Sequence, residues 1–400
     1  MTNTSYYSPI QQPSTKPDIL LWISRIFVGL LFIFSGLIKA NDPMGFGYKL
    51  QEYFHVFHLT VFNDYSTWIA IILCALEIIL GFLLLLGIAK RTVAWGLLLL
   101  IIFFTFLTFY SAFFNVVTSC GCFGDAIPLT PWQSFIKDLI LLVFIGIIFI
   151  KRDKITSIFH SGFTNNILSI LIIIFSFGIG IFTYKYLPFI DFLPYKVGNH
   201  LPTLMKAPEG AQLDEFEHIY TLKNINTGET KKIDDKTYMN EKIWEDTNWE
   251  IVGEPITNLV KKGYQIPISD LIITDNDGED LTKDIVENPH FNFIITSVDV
   301  SKFSPADFIA LDKINQTIKS LSEEYNFRAI LLTASASKDV EYLNDQLDLI
   351  LETCYADAVP IKSMVRSNPG IMLLQNGVVI QKWSKDNFPS KEELINNYLK

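Results

Sequence analysis

Thiols are scarce in this chain: 400 residues carry four cysteines, and half of that supply, Cys120 and Cys122, sits one glycine apart in "TSCGCFGDAIP". Charge is thin too. Asp, Glu, Lys and Arg make up 18% of the chain against 50% hydrophobic residues, with a mean hydropathy of +0.30, too apolar for an ordinary soluble chain of this length. No nucleotide-binding glycine loop, hydrolase elbow or metal signature occurs, which leaves those chemistries without a sequence basis. There is no inverted repeat and no pair of broken helices, so a transporter is a weak reading. Beyond about residue 190 no apolar run is long enough to span a bilayer, and that region reads as water-exposed.

What is present before residue 190 is five long apolar stretches, roughly 18–39, 67–88, 92–114, 131–150 and 165–187, each close to the ~20 residues a membrane helix needs. The first is too long for a secretory h-region, carries Arg25 and lacks a small-residue cleavage pattern, so it is expected to be a retained helix. Short loops rich in Lys and Arg stay cytoplasmic. "GIAKRTV" and "IKRDKI" are such loops, which predicts a cytoplasmic N-terminus and puts the Cys120-Gly-Cys122 loop and the C-terminal region outside. In a bacterium that is a multi-pass inner-membrane protein with a periplasmic C-terminal domain, where disulfides persist. Residues 1–187 carry net charge +3 and the remainder −13, and an acidic soluble part disfavours nucleic acid. The expected partners are the lipid bilayer and a periplasmic or exported protein client.

Between the first two spans, Phe46, Tyr53, Phe54 and Phe57 recur at roughly helical spacing, which predicts an amphipathic helix lying on the outer leaflet. His55 and His58 lie three apart on it, but no carboxylate or cysteine completes a ligand set nearby, and no metal is expected. Ionisable groups inside the spans are costly and normally face a partner or a wet cavity. They are Arg25, Glu77, Lys137 and Asp138. Two readings stand open for them: an Arg25 to Glu77 pair that locks helices together, or a relay for protons or a quinone headgroup opening toward the Cys-Gly-Cys loop. Cys74, one turn before Glu77, reads as a packing residue.

"RIFVGLLFIFSGLIKANDPMGFGYKLQEYF", "ALEIILGFLLLLG" and "CGCFGDAIPLTPWQSFIKDLILL" resemble the DoxX superfamily of four-helix membrane proteins, closest to its MauE-like branch, over about residues 18–150. That resemblance implies electron transfer to quinone or disulfide formation in exported proteins, with Cys120 and Cys122 as the redox pair. The chemistry is compatible. Gly121 permits backbone angles closed to other residues, and a bond closing so small a ring would be strained and readily exchanged. Thiols that stay reduced or oxidise passively remain the alternative.

After Pro188 and Pro194, residues 195–267 suggest a strand-rich insertion around "EHIYTLKNINTGETKKI". From 268 onward "ISDLIITDNDGEDLT" reads as a strand pair about an Asp-Gly turn and "HFNFIITSVDV" as a buried strand. A helix then starts at Ser304, with Pro305 at its first position and Asp307 at its third. Strands at "FRAILLTAS" and "LDLILETCY", a hairpin about Asn376-Gly377 and a last helix at "PSKEELINNYL" complete the order. This order resembles the membrane-tethered, TlpA-type thioredoxin-like fold, with Pro369 at the position of that fold's cis-proline. The predicted architecture is therefore an all-α four-helix membrane bundle over 1–155, a fifth transmembrane helix and tether over 156–194, the strand-rich segment over 195–267, and a soluble α/β thioredoxin-like domain over 268–400.

Where that family has Cys-x-x-Cys, this chain has Ser301 and Ser304, and serine does not exchange thiols. Cys354 ends a predicted strand, where burial is the common fate. The resulting expectation is an inner-membrane redox protein. It would couple thiol–disulfide exchange of exported proteins at Cys120 and Cys122 to membrane quinone, with a redox-inactive thioredoxin-like domain holding the client in the groove beside Ser301, Ser304 and Pro369. A non-catalytic membrane subunit or assembly factor whose outer domain docks a periplasmic partner is the alternative.

Overall fold

The computed structural model describes residues 18–117 and 121–399. Five helices are long and apolar enough to cross a membrane: α1 (Ile19–Asn41), α3 (Ser66–Leu86, extended at its start by a 3-10 turn from Thr60), α4 (Lys90–Phe114), α5 (Pro131–Ile150) and α6 (Gly162–Tyr186). Their outer faces present Trp22, Leu30, Leu99, Phe103, Val143 and Ile174 to the surroundings. That surface is costly in water and neutral in lipid.

Inside, α1 buries Ser24, Val28, Phe32, Ser35 and Lys39, residues three or four apart and hence on one face. Small residues let α1 and α3 approach closely: a Cβ on Gly81 would lie 2.8 Å from the Gly29 carbonyl oxygen. Asp18 caps α1 at Leu21 N and pairs with Lys151 at 2.9 Å, tying the start of α1 to the end of α5. At the same end, Lys90 donates to the carbonyls of Asp153 and Ile155, so the two basic connections lie together.

The aromatic segment after α1 forms α2 (Pro43–Val56), with Asp42 as its cap. Its apolar face differs from the expected surface-lying one. Phe46, Leu50 and Tyr53 are buried against the bundle, because the residues at this spacing pack on Ala40, Ala70 and Cys74 and on Leu107 and Val117. Helix α6 is the outlying span. Its last turn is pinned by Thr183 Oγ1, which donates to Ala40 O at 2.6 Å, and by Lys185 O, which accepts from Ser384 Oγ at 2.6 Å. Beyond it, the Asn41 amide pairs with both backbone groups of Ile190, at 2.8 and 3.1 Å.

The remaining chain is α/β with two sheets. After the short helix α7 (Leu201–Leu204), a small antiparallel sheet is built on β1 (Glu215–Asn224). It pairs with β2 (Thr230–Asp234), β3 (Trp249–Ile251) and β4 (Ile256–Lys261), with helix α8 (Asp235–Asn240) between β2 and β3. Next come α9 (Thr282–Val286), β5 (Phe291–Ser297), α10 (Pro305–Ser322), β6 (Arg328–Thr333), α11 (Ser337–Leu347), β7 (Glu352–Tyr355), α12 (Ala358–Met364), β8 (Gly370–Gln375), β9 (Val378–Ser384) and α13 (Lys391–Asn397).

The main sheet has the order β7-β6-β5-β8-β9. Strands β5, β6 and β7 are parallel, β8 pairs antiparallel with β5, and β9 pairs antiparallel with β8. Alternate residues feed two cores, one on each face. Ile294, Ile330, Cys354 and Met372 face α12 and the 268–286 segment, while Phe293, Leu331, Ile371 and Leu373 face α10, α11 and α13. The expected strand pair at 268–282 is reduced to isolated bridges: Thr274 pairs with Asp280 across the turn and with Tyr355 of β7. Asp275 Oδ1 accepts the backbone N–H groups of Asp277 and Glu279 and tightens the turn, beside the cross-turn backbone bonds from Asp275 N to Glu279 O and from Leu281 N to Ile273 O.

Candidate functional site

The Cys-Gly-Cys loop crosses the end of the bundle between α4 and α5. Cys120 lies outside the described residues. Gly121 has φ +67°, the left-handed region that glycine occupies without strain, and a Cβ there would meet the Lys49 side chain at 3.3 Å. Cys122 is half-buried, and its carbonyl accepts from Ser35 Oγ of α1 at 3.0 Å. The next residue, Phe123, packs on Phe34 with ring centroids 5.7 Å apart. The loop is thus seated on α1.

Beneath it lies a cavity of about 30 Å3 walled mainly by apolar side chains, into which Cys122, Lys39, Glu77, Lys137 and Asp138 project. Lys39 and Glu77 form an ion pair, each 3% exposed. The Lys39 ammonium also lies 5.1 Å from the Phe46 ring centroid and 4.7 Å from that of Phe104. Glu77 Oε2 is buried and has no hydrogen-bond partner among the described residues. Lys137 binds Asp138 Oδ1 at 2.5 Å, and Asp138 Oδ2 accepts from Thr108 Oγ1 at 2.9 Å.

Glu77, Lys137, Asp138 and Cys122 therefore come together as one group. Arg25 does not join them. It donates to the Leu84 and Leu85 carbonyls at the C-terminal end of α3, so the Arg25 to Glu77 pair is replaced by Lys39 to Glu77. Lys39 sits in "SGLIKANDP" near the end of the first apolar run, where a lysine ordinarily snorkels to the interface. Its place on the Phe32–Ser35 face is the signal that could have found it. His55 Nε2 shares a 3.3 Å hydrogen bond with Asn63, and no cluster of His, Cys, Asp and Glu suited to a metal occurs among the described residues.

In the α/β domain Ser301 and Ser304 serve local structure. Ser301 Oγ donates to Asp299 Oδ1 at 2.6 Å, and Ser304 forms a reciprocal capping box with Asp307 at the start of α10. Lys385 pairs with Asp307 and donates to Asn368 O at 3.3 Å, linking that cap to the Asn368–Pro369 peptide, which is cis. Cys354 is fully buried in β7. Burial, with a smaller effect from Glu352, pushes its thiol from 9.0 up to about 12, and such a thiol is inert.

The contact between domain and bundle rests on a residue that sequence reading missed. Arg366, three residues before Pro369, donates to Asp42 at 2.7 Å and to Asp125 of the Cys-Gly-Cys loop at 2.9 Å. Burial works against its positive charge, but Asp42 and Asp125 outweigh it and hold the guanidinium more firmly protonated than usual. These partners lie 324 and 241 residues away in sequence, too far for any local pattern to betray them. Lys382 forms a second clasp with Asp191 at 2.6 Å. Between the two parts lies a cleft of about 300 Å3 bordered by Lys49, Glu52, Gly121, Asp125, Lys362 and Arg366. Ser301 and Ser304 do not border it.

Residues 17–151 match the family model for the methylamine utilisation protein MauE. A stretch of 144 residues is 30% identical to Protein TlpB of Flavobacterium psychrophilum, covering 35% of this chain and 39% of that protein. The chain thus spans about two fifths of the length of the curated relative it matches. No solved structure matches it. Sequence and structure together give a MauE-like membrane bundle followed by an additional C-terminal α/β domain.

Proposed function

We propose that this chain is a thiol–disulfide exchange protein of the bacterial inner membrane, working through Cys120 and Cys122, with the α/β domain outside holding the polypeptide client. The carrying observation is that Cys122 opens onto a buried cavity holding two ion pairs, a setting far costlier than anchorage requires. A client thiolate would attack the disulfide form of the pair, giving a mixed disulfide that a second client thiol resolves. The client loses two electrons and two protons, and the pair becomes a dithiol.

Membrane quinone is the proposed class of final electron acceptor. The cavity of about 30 Å3 has room for one or two waters and does not fit a quinone ring. The strand order 7-6-5-8-9 with a cis-proline ahead of the hairpin supports the thioredoxin-like, TlpA-type reading of the domain, and the "CGCFGD" and "SGLIKANDP" segments support the DoxX reading of the bundle. Ser301, bonded to Asp299, and Ser304, capping α10, favour a domain that binds without exchanging thiols. They also favour the second reading, a docking subunit without catalysis.

The test is thiol trapping with a mass-adding maleimide in intact cells, before and after respiration is blocked, on chains whose Cys74 and Cys354 are replaced. The exchange reading expects an oxidised pair that accumulates as thiols once reoxidation stops. A redox state indifferent to respiration would favour the docking subunit.

A further inference from the structure

Thiol exchange needs a thiolate, and making one near the membrane is costly when it adds net charge to a dry site. We propose that the cavity beneath the Cys-Gly-Cys loop is a thiolate-forming site in which Glu77 takes the proton of Cys122 through cavity water while Lys137 faces the resulting sulfur charge. The proposal rests on the exchange reading above.

Three observations carry it. Glu77 is 3% exposed, yet its Oε2 lacks a partner among the described residues, and a buried carboxylate oxygen needs a donor. The cavity it borders has room for one or two waters, and Cys122 borders the same space. Lys137 and Cys122 line that space together and interact electrostatically.

The charges balance without exchange with solvent. Before transfer the site holds Lys39 and Lys137 positive, Glu77 and Asp138 negative, and a neutral thiol. After it the carboxyl of Glu77 is neutral and the sulfur carries the negative charge, so the buried total is unchanged and no new net charge is desolvated. Lys39 does not lose all support when Glu77 is neutralised, because the rings of Phe46 and Phe104 remain beside its ammonium. The other ionisable groups nearby have partners or are buried. Lys49, beside Gly121, pairs with Glu52, Tyr53 shares a hydrogen bond with Ser111, Asp42 and Asp125 are held by Arg366, and Cys74 is buried one turn from Glu77.

The experiment uses the reduced full-length chain in detergent with Cys120→Ser, following alkylation of Cys122 by iodoacetamide from about pH 5 to about pH 9, either side of the ~8.5 of an unperturbed thiol. The chain carrying Lys137 is expected to react half-maximally well below that value. Lys137→Met should slow the reaction at neutral pH by about tenfold or more, and Lys137→Arg should restore it. Lys39→Met with Glu77→Leu, an apolar replacement of the pair that keeps the helices packed, should slow it similarly. Infrared difference spectra should show a protonated carboxyl that disappears when Cys122 is alkylated and is missing in Glu77→Gln.

An ordinary thiol profile that ignores all these changes would overturn the proposal. No respiratory acceptor takes part in the assay. An acidic Cys122 whose redox state ignores respiration sinks the exchange reading alone, and a respiration-linked pair with an ordinary profile sinks this inference alone.

Discussion

At the scale of single residues, Cys354 and Lys39 make opposite cases for burial. Cys354 is neutral and content in the sheet core, and its folded-state value of about 12 lies above the 9.0 it has when exposed. Stability from this thiol is therefore complete below pH 9.0 and is lost progressively as pH rises toward 12. Maleimide at neutral pH should leave Cys354 untouched in the folded chain and label it fully in denaturant, which mass spectrometry of the labelled peptide checks.

Lys39 is charged, and Glu77 is the carboxylate it pairs with. Lys39→Met alone strands the Glu77 carboxylate and should cost about 3 kcal/mol or more, whereas adding Glu77→Leu should recover most of that loss. Thermal unfolding in detergent compares the two. The depth of Glu77 in an apolar run was legible in the sequence because charge there is anomalous on its own. Its partner was not, since Arg25 and Lys39 both lie on α1 and only the packing of α1 on α3 chooses between them.

Elements were legible where their determinants are local. The capping box at Ser304 and Asp307, the Asn376-Gly377 hairpin and the five apolar spans each announce themselves within a few residues, and each is present. Ser304→Ala removes the acceptor for Asp307 N and should destabilise α10 by about 1 kcal/mol. Faster hydrogen exchange confined to the first turn of that helix is the expected readout. The segment at 268–282 and helix α2 went differently. In the first, pairing stops at the isolated bridges of Thr274 with Asp280 and Tyr355; in the second, aromatic spacing gave the helix but not the surface it would cover. A periodic apolar face states that something is buried and leaves open against what.

For the molecule as a whole, the deciding contacts are those no window of sequence contains. Arg366 joins the segment before the cis peptide to both Asp42 and the Cys-Gly-Cys loop, and its side chain is only 8% exposed. Arg366→Met should weaken the closed arrangement by roughly 3 kcal/mol, raising the opened population on the order of a hundredfold. Limited proteolysis across residues 187–200 should speed up accordingly, and an unchanged cleavage rate would mean that Lys382 and Asp191 suffice to hold the domain.

The pinned last turn of α6 has a consequence of phase. Thr183 reaches Ala40 on one side, and the Lys185 carbonyl meets Ser384 on the other, so helix and sheet mesh like two toothed wheels. One residue added between those teeth would turn everything after it by about 100°, and four would nearly restore the facing while lifting it by about 6 Å. The connection is accordingly keyed rather than elastic. Its length specifies which face of the α/β domain meets the cysteine loop.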